Sequence, residues 1–268
     1  MYLSYWDLRE KPFENTSDPR FLCLSEQHKE ALTRLQYAVT EYKACALLTG
    51  IFGTGKTLLA QALMEGLEKN QFKTAFIFNP QLSPVELLRE VIYQLGIHDN
   101  VPEQKTDILH CMTDILSDNY SEGRHTMIIV DEAHLIEDRL IFEELRLLLN
   151  FQKRDRFLLT LILVGQPELR DKINRMKPFD QRVALRFHLK GLTLEETKTY
   201  ILYRLSIAGA KRKIFEEETF GILQEFTGGI PRRINQICDL ALLAGYGANA
   251  PNITSTIVRE VVMDPQML

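Results

Sequence analysis

The chain has 268 residues, with 32 basic against 36 acidic side chains and a net charge of −4. Its 45% hydrophobic and 25% charged content is that of a globular protein and excludes a disordered or fibrous chain, while the slight acidity excludes one that coats nucleic acid by bulk charge. No apolar run approaches the ~18–20 residues that span a bilayer, so no intrinsic membrane span is expected. The opening lacks the charged-then-apolar layout of a signal peptide. Cys23, Cys45, Cys111 and Cys238 stand far apart without a CxxC pair, which predicts reduced thiols and a cytoplasmic protein. The length suits one large or two small domains.

Residues 1–22 are rich in turn formers and aromatics, among them Trp6, Pro12-Phe13, Asp18-Pro19 and Phe21. From Glu26 to Tyr42 the apolar residues Ala31, Leu32, Leu35, Ala38 and Val39 recur at helical spacing, with Ser25 as N-cap. Ala44–Leu48 is apolar without alternation, as in a buried parallel strand. Leu58–Glu68 reads as a helix and Thr74–Phe78 as a second strand. Ser83-Pro84-Val85-Glu86 opens the next helix with a capping box and an N1 proline. A helix over Thr106–Asn119 follows, then strands at Met127–Val130, Leu158–Val164 and Phe187–Leu189. Strands spaced by helices predict an α/β domain, a parallel five-stranded sheet sandwiched by helices. After Leu192 only helices are expected, near 194–208, 216–227, 231–245 and 254–262, the first opened by the capping box Thr193–Glu196. The predicted domains are therefore 1–191, with an N-terminal extension 1–24, and an all-helical 192–268.

Gly50-Ile51-Phe52-Gly53-Thr54-Gly55-Lys56-Thr57 fits GxxxxGK[ST], the P-loop. Its glycines let successive N–H groups point at phosphates, Lys56 brings a charge to the β- and γ-phosphates, and Thr57 offers a hydroxyl to Mg²⁺. The pattern arises by chance in roughly one chain in a hundred, and here it stands between a buried strand and a helix as the motif demands. Gly50, Phe52, Gly53, Thr54, Gly55, Lys56, Thr57 and Leu58 are the expected nucleotide contacts. The strand Met127–Val130 ends in Asp131-Glu132. Asp131, at the sheet's C-terminal edge, is the second Mg²⁺ candidate, and Glu132 can polarise a water for in-line attack. ATP or ADP with Mg²⁺ is the expected ligand.

Asp131-Glu132-Ala133-His134 also spells the DEAH box of some helicases, which need two such sheet domains where this chain has room for one. His134 is read as a neighbour of the site. Gln166, at the end of the fourth strand, would lie between Asp131 and the γ-phosphate. Arg175 and Arg212 read as solvated surface.

In this order the motifs resemble an AAA+ P-loop NTPase of the ExeA/GspA-like group, associated with type II secretion. The resemblance rests on Trp6–Phe13, Asp18–Phe21, the P-loop, the Asp131-Glu132 strand, Glu144–Phe151, Leu163–Leu169 and Gly229–Asn235. It implies a helical lid, Gln166 at the sensor-1 position, and Arg232 at sensor 2 on the nucleotide. It further implies Arg186 as the arginine a neighbouring subunit inserts into the site, with Arg182 as the fallback, and Pro12 and Phe13 near the adenine. Members acting in secretion typically continue into a membrane span and a peptidoglycan-binding region; with neither in this sequence, the expectation is either a fragment or a stand-alone relative with a different client.

The expectation is an oligomeric ATPase, cytoplasmic or peripheral to the inner membrane, that couples hydrolysis to remodelling or assembly of a protein client. The alternative is a DNA-associated regulator of transposition (TniB/TnsC/IstB-like), for which Lys153-Arg154 with Arg156, or Lys211-Arg212-Lys213, would meet DNA phosphates. A nucleotide-gated scaffold without turnover is disfavoured by Glu132.

Overall fold

The computed structural model describes residues 2–264 apart from 16–18, 22, 69, 100 and 155. Asp18 and the end of the expected 192–268 domain lie outside the described residues. The chain divides into two compact units, Gln27–Phe52 with Lys56–Leu189, and Met1–Glu26 with Gly53–Gly55 and Lys190–Leu268.

The sheet unit runs α1 (Glu26–Thr40), β1 (Cys45–Gly50), α2 (Lys56–Gly66), β2 (Phe72–Ile77), α3 (Pro84–Gln94), α4 (Lys105–Ser121), β3 (His125–Val130) and a 3-10 turn at Ala133–Leu135. It continues with α5 (Arg139–Leu148), β4 (Gln152–Lys153), β5 (Arg156–Phe157), β6 (Leu159–Gly165), α6 (Pro167–Arg175), α7 (Lys177–Asp180) and β7 (Val183–Leu189). Five strands form one parallel sheet in the order β2-β3-β6-β1-β7. The three inner strands β1, β3 and β6 are buried along their whole length, as unbroken apolar strands covered on both faces must be. Leu87, Leu88, Val91 and Ile92 of α3 and Ile108, Met112 and Leu116 of α4 are fully buried in the core that covers them. The expected capping box of α3 is present: Ser83 N–H donates to Glu86 Oε2 at 2.7 Å, and Glu86 N–H to Ser83 Oγ at 3.3 Å.

From the sequence no element is expected between Val130 and Leu158, where the structure has α5 and the β4–β5 ribbon. Helix α5 starts at Asp138, whose side chain accepts from Leu140 N–H at 2.8 Å. It buries Ile141, Phe142, Leu145 and Leu148 at helical spacing. Strand β7 starts at Val183, earlier than expected: at the sheet edge most of its residues are only partly buried, so its first half carries no unbroken apolar run.

The second unit contains α8 (Leu194–Ile207), α9 (Glu217–Thr227), α10 (Pro231–Gly247) and α11 (Ser255–Met263), as expected. The N-terminal extension, placed with the sheet domain from its position in the chain, instead groups with these helices. The reason is apolar burial: Trp6, Leu8, Phe13 and Phe21 join the core formed by Leu205, Phe215, Leu223 and Ile237. Trp6 is fully buried, and its indole N–H donates to the Leu242 carbonyl at 2.9 Å. Arg204 donates to the carbonyls of Pro12 and Glu14 at 2.5 and 2.8 Å. Among the described residues no helix is long and apolar enough to cross a membrane.

His125, at the start of β3, is buried with Nε2 2.9 Å from Thr160 Oγ1, whose own hydroxyl donates to the Lys43 carbonyl. Burial, helped by the Arg156 charge, pushes its pKa down from 6.5 to about 4. The unfolded chain therefore binds the proton first: this residue's stabilisation is complete above the unfolded value and is lost as pH falls towards the folded one. Between pH 7 and pH 5 the loss is about 2 kcal/mol. Urea unfolding of the native protein and His125→Asn at both pH values is expected to differ in pH dependence by that amount. Equal dependence would contradict the buried neutral imidazole.

Candidate active site

Strand order positions the site. β6 lies between β1 and β3, so the ends of three adjacent buried strands present the P-loop, Gln166 and Asp131-Glu132 side by side. Beyond Gly50 the loop turns through Gly53 and Gly55 at φ +84° and +93°, values that glycine adopts without the Cβ clash. Thr54 is buried, Phe52 exposed and Leu58 half-buried in the first turn of α2. The α2 N-terminus presents the positive end of its dipole, suited to an anion.

Lys56 is buried, and its ammonium donates to the Ile51 carbonyl at 3.1 Å. Burial pulls its pKa below the ordinary lysine value, while the charges of Glu132, Asp131 and Glu168 work the other way. The Thr57 hydroxyl donates to Asp131 Oδ2 at 2.7 Å, joining the start of α2 to the end of β3. The other Asp131 oxygen accepts from the Glu132 N–H at 2.8 Å. Glu132 stands in the left-handed region at φ 49°, ψ 31°, which costs an L-residue about 1–2 kcal/mol. That Asp131 bond helps hold it there.

Thr57 and Asp131 thus bring two hard oxygen donors together. Mg²⁺ takes one or two protein oxygens and completes its shell with water and phosphate. Among the described residues no group of three or more His, Cys, Asp or Glu side chains is placed to hold a metal. The Thr57 and Asp131 oxygens suit a Mg²⁺ of that kind.

Around this pair stand His134 and Gln166, expected near the site, whose mutual contacts are not readable from sequence. His134 Nδ1 lies 3.3 Å from Glu132 Oε2, and its Nε2 lies 3.0 Å from the amide nitrogen of Gln166. Lys172 donates to the carbonyls of His134 and Ile136 at 2.5 and 2.8 Å, closing the 3-10 turn. A Cβ on Gly165 would stand 3.1 Å from the His134 backbone nitrogen and 2.8 Å from Leu169 Cδ2. Only sequence-distant pairing of β3 with β6 brings these groups into one place.

The arginines are distributed differently. Arg186 donates to Asp180 Oδ1 at 2.6 Å and to Asn174 Oδ1 at 3.2 Å, and Arg182 donates to Asn150 Oδ1 at 3.0 Å. In the helical unit, which takes in Gly53–Gly55, the Arg232 N–H donates to the Gly53 carbonyl at 3.3 Å. Phe13 is buried there edge-on to Phe215 with centroids 6.2 Å apart. Of the basic groups considered for DNA, Lys153 and Arg156 lie over the Tyr120 ring, Arg212 lies over Trp6 and Lys213 pairs with Glu217.

The AAA domain family matches residues 39–173, half of the sequence. The chain belongs to the AAA domain family. It is 34% identical over 260 residues to General secretion pathway protein A of Aeromonas hydrophila, a match covering 94% of this chain and 46% of that protein. The chain thus spans about half the length of this curated relative, and the expected ExeA/GspA-like resemblance holds. Two solved structures share the fold. The Aeropyrum pernix ORC2 protein, solved as ADPNP–ADP complexes, matches with TM-score 0.67 and 18% identity over 95% of this chain and 71% of its own. Drosophila ORC bound to DNA matches with TM-score 0.73 and 16% identity over 100% and 66%. The AAA domain's five-stranded P-loop architecture is therefore that expected from the motifs.

Gly165→Ala is expected to destabilise this AAA domain by about 1–3 kcal/mol, because the added methyl overpacks the turn that carries His134. Denaturant unfolding checks this. Unchanged stability would mean the turn and α6 yield freely.

Proposed function

We propose that this chain is an ATP-hydrolysing enzyme that works as an oligomer and couples hydrolysis to remodelling or assembling a protein client. The observation that carries the reading is the Thr57–Asp131 hydrogen bond with Glu132 directly beside it. It joins the phosphate-binding helix to the two carboxylates that this chemistry requires.

In the proposed reaction the P-loop N–H groups and Lys56 hold the β- and γ-phosphates, and Thr57 and Asp131 would hold Mg²⁺. Bound Mg²⁺ would supply charge neutralisation on the phosphate oxygens. Glu132 orients a water and takes its proton as the oxygen attacks the γ-phosphorus. The bond to the bridging oxygen breaks, and its electron pair departs with ADP. Gln166 contacts the γ-phosphate or the water. Arg232 contacts the nucleotide, a role supported by its backbone bond to Gly53 in the P-loop. Pro12 and Phe13 are the proposed neighbours of the adenine.

Arg186, with Arg182 second, is the proposed arginine given to a neighbouring copy's site. Its present partners do not forbid this. The Arg186–Asp180 pair leaves both side chains more than a third exposed, at 36% and 37%, and such surface pairs contribute at most about 1 kcal/mol. An arginine facing a transferring phosphoryl group accelerates related reactions by about 10³-fold or more. The similarity to General secretion pathway protein A supports a client in secretion; the proposed place of action is the cytoplasm, free or peripheral to the inner membrane.

Glu132→Gln and Arg186→Ala are each expected to lower ATPase activity about 100-fold or more. Mixed in equal amounts they should recover activity at about a quarter of the sites, those pairing an intact Glu132 with a neighbour's intact Arg186. Absence of recovery would contradict a site shared between subunits.

A further inference from the structure

We propose that His134 is a positioning residue, fixing the Glu132 carboxylate and linking it to Gln166. The inference rests on the hydrolytic reading above and assigns the residue that sets its geometry.

The imidazole has a polar neighbour on each side. Gln166 contributes an amide nitrogen, which can only donate, so His134 Nε2 at 3.0 Å is the acceptor. The ring proton then sits on Nδ1, and Nδ1 faces Glu132 Oε2 at 3.3 Å. Both of these atoms are buried, and neither makes an aligned hydrogen bond. At that distance only alignment is missing, and a small rotation of the ring would convert the contact into a charge-assisted bond. The scaffold around the ring is firm: Lys172 clamps the turn's carbonyls, and the backbone nitrogen of His134 lies against Gly165. Movement is thereby confined to the side chains of Glu132, His134 and Gln166.

This arrangement gives the ring no free lone pair for a water. Nε2 is taken by Gln166 and Nδ1 carries the proton, so His134 does not serve as a second base. What it can do is transmit position. When Gln166 turns to the γ-phosphate, the imidazole it holds turns with it, and the Glu132 carboxylate is drawn to one orientation. A carboxylate whose Oε2 is buried without a partner needs such a neighbour to be oriented at all.

The test is steady-state ATPase kinetics, with affinity for a non-hydrolysable ATP analogue, on wild type, His134→Ala, His134→Asn, Glu132→Gln and the Glu132→Gln/His134→Ala double variant. His134→Ala is expected to lower kcat about 10- to 100-fold, with analogue affinity within about twofold of wild type. His134→Asn, which returns an N–H near the Nδ1 position, is expected to recover most of that loss. In the Glu132→Gln background the alanine should add no further loss, because His134 acts through Glu132. An unchanged kcat in His134→Ala, losses that multiply in the double variant, or a fall in analogue affinity matching the fall in rate would each overturn the proposal. If Glu132→Gln alone kept full activity, the hydrolytic reading itself would fail, an outcome distinct from these three.

Discussion

The bond between the Thr57 hydroxyl and Asp131 joins residues 74 positions apart, from the first turn of α2 and the end of β3. It exists only because β6 pairs with both β1 and β3 in a fixed register, Thr49 beside Gly165 and Val130 beside Leu163. In a sheet a slip of one residue reverses every side chain. Such a slip in β3 would carry Asp131 away from Thr57 and turn Glu132 from its place. The buried inner strands are what make slips costly, since each would expose or misplace several Leu, Ile and Val side chains at about 1.5–3 kcal/mol apiece. Core packing thus sets the geometry of the chemistry.

The electrostatics of the site follow from the same burial. Lys56 is an ammonium largely removed from water, and desolvation alone drives it towards its neutral form. Asp131, Glu132 and Glu168 counter that drive, so the protein stores a cation against carboxylates that a phosphate chain can replace. The strained backbone at Glu132 belongs to this balance. Its left-handed conformation places a carboxylate immediately after a strand end, and Asp131 stabilises it through the N–H bond. One aspartate therefore ties down both the Thr57 hydroxyl and the Glu132 backbone.

Much of this was legible in the sequence, for identifiable reasons. Strands covered on both faces leave unbroken apolar runs, so β1, β3 and β6 could be read directly, and capping boxes marked α3 and α8. The P-loop and Asp131-Glu132 were readable because phosphate chemistry restricts both residue type and strand-end context. Helix α5 was legible as well, since Ile141, Phe142, Leu145 and Leu148 stand at helical spacing behind the Asp138 cap; only the buried Glu144, paired with Lys105 at 2.5 Å, breaks its apolar face. The N-terminal segment was visibly aromatic, yet nothing in Trp6 or Phe13 says which core receives it. The His134–Gln166 contact was out of reach for the same reason, since it arises from strand order and not from spacing along the chain.

The central claim is that one pocket, built from the P-loop and the Asp131 strand, binds a magnesium-complexed triphosphate. Isothermal titration calorimetry of Mg·ATP into the purified chain and into Lys56→Ala tests it directly. The account predicts one site per chain in the native protein and an affinity at least about tenfold weaker in the variant, the loss of a charged contact to phosphate. No binding to the folded native protein, or equal affinity for both proteins, would contradict it.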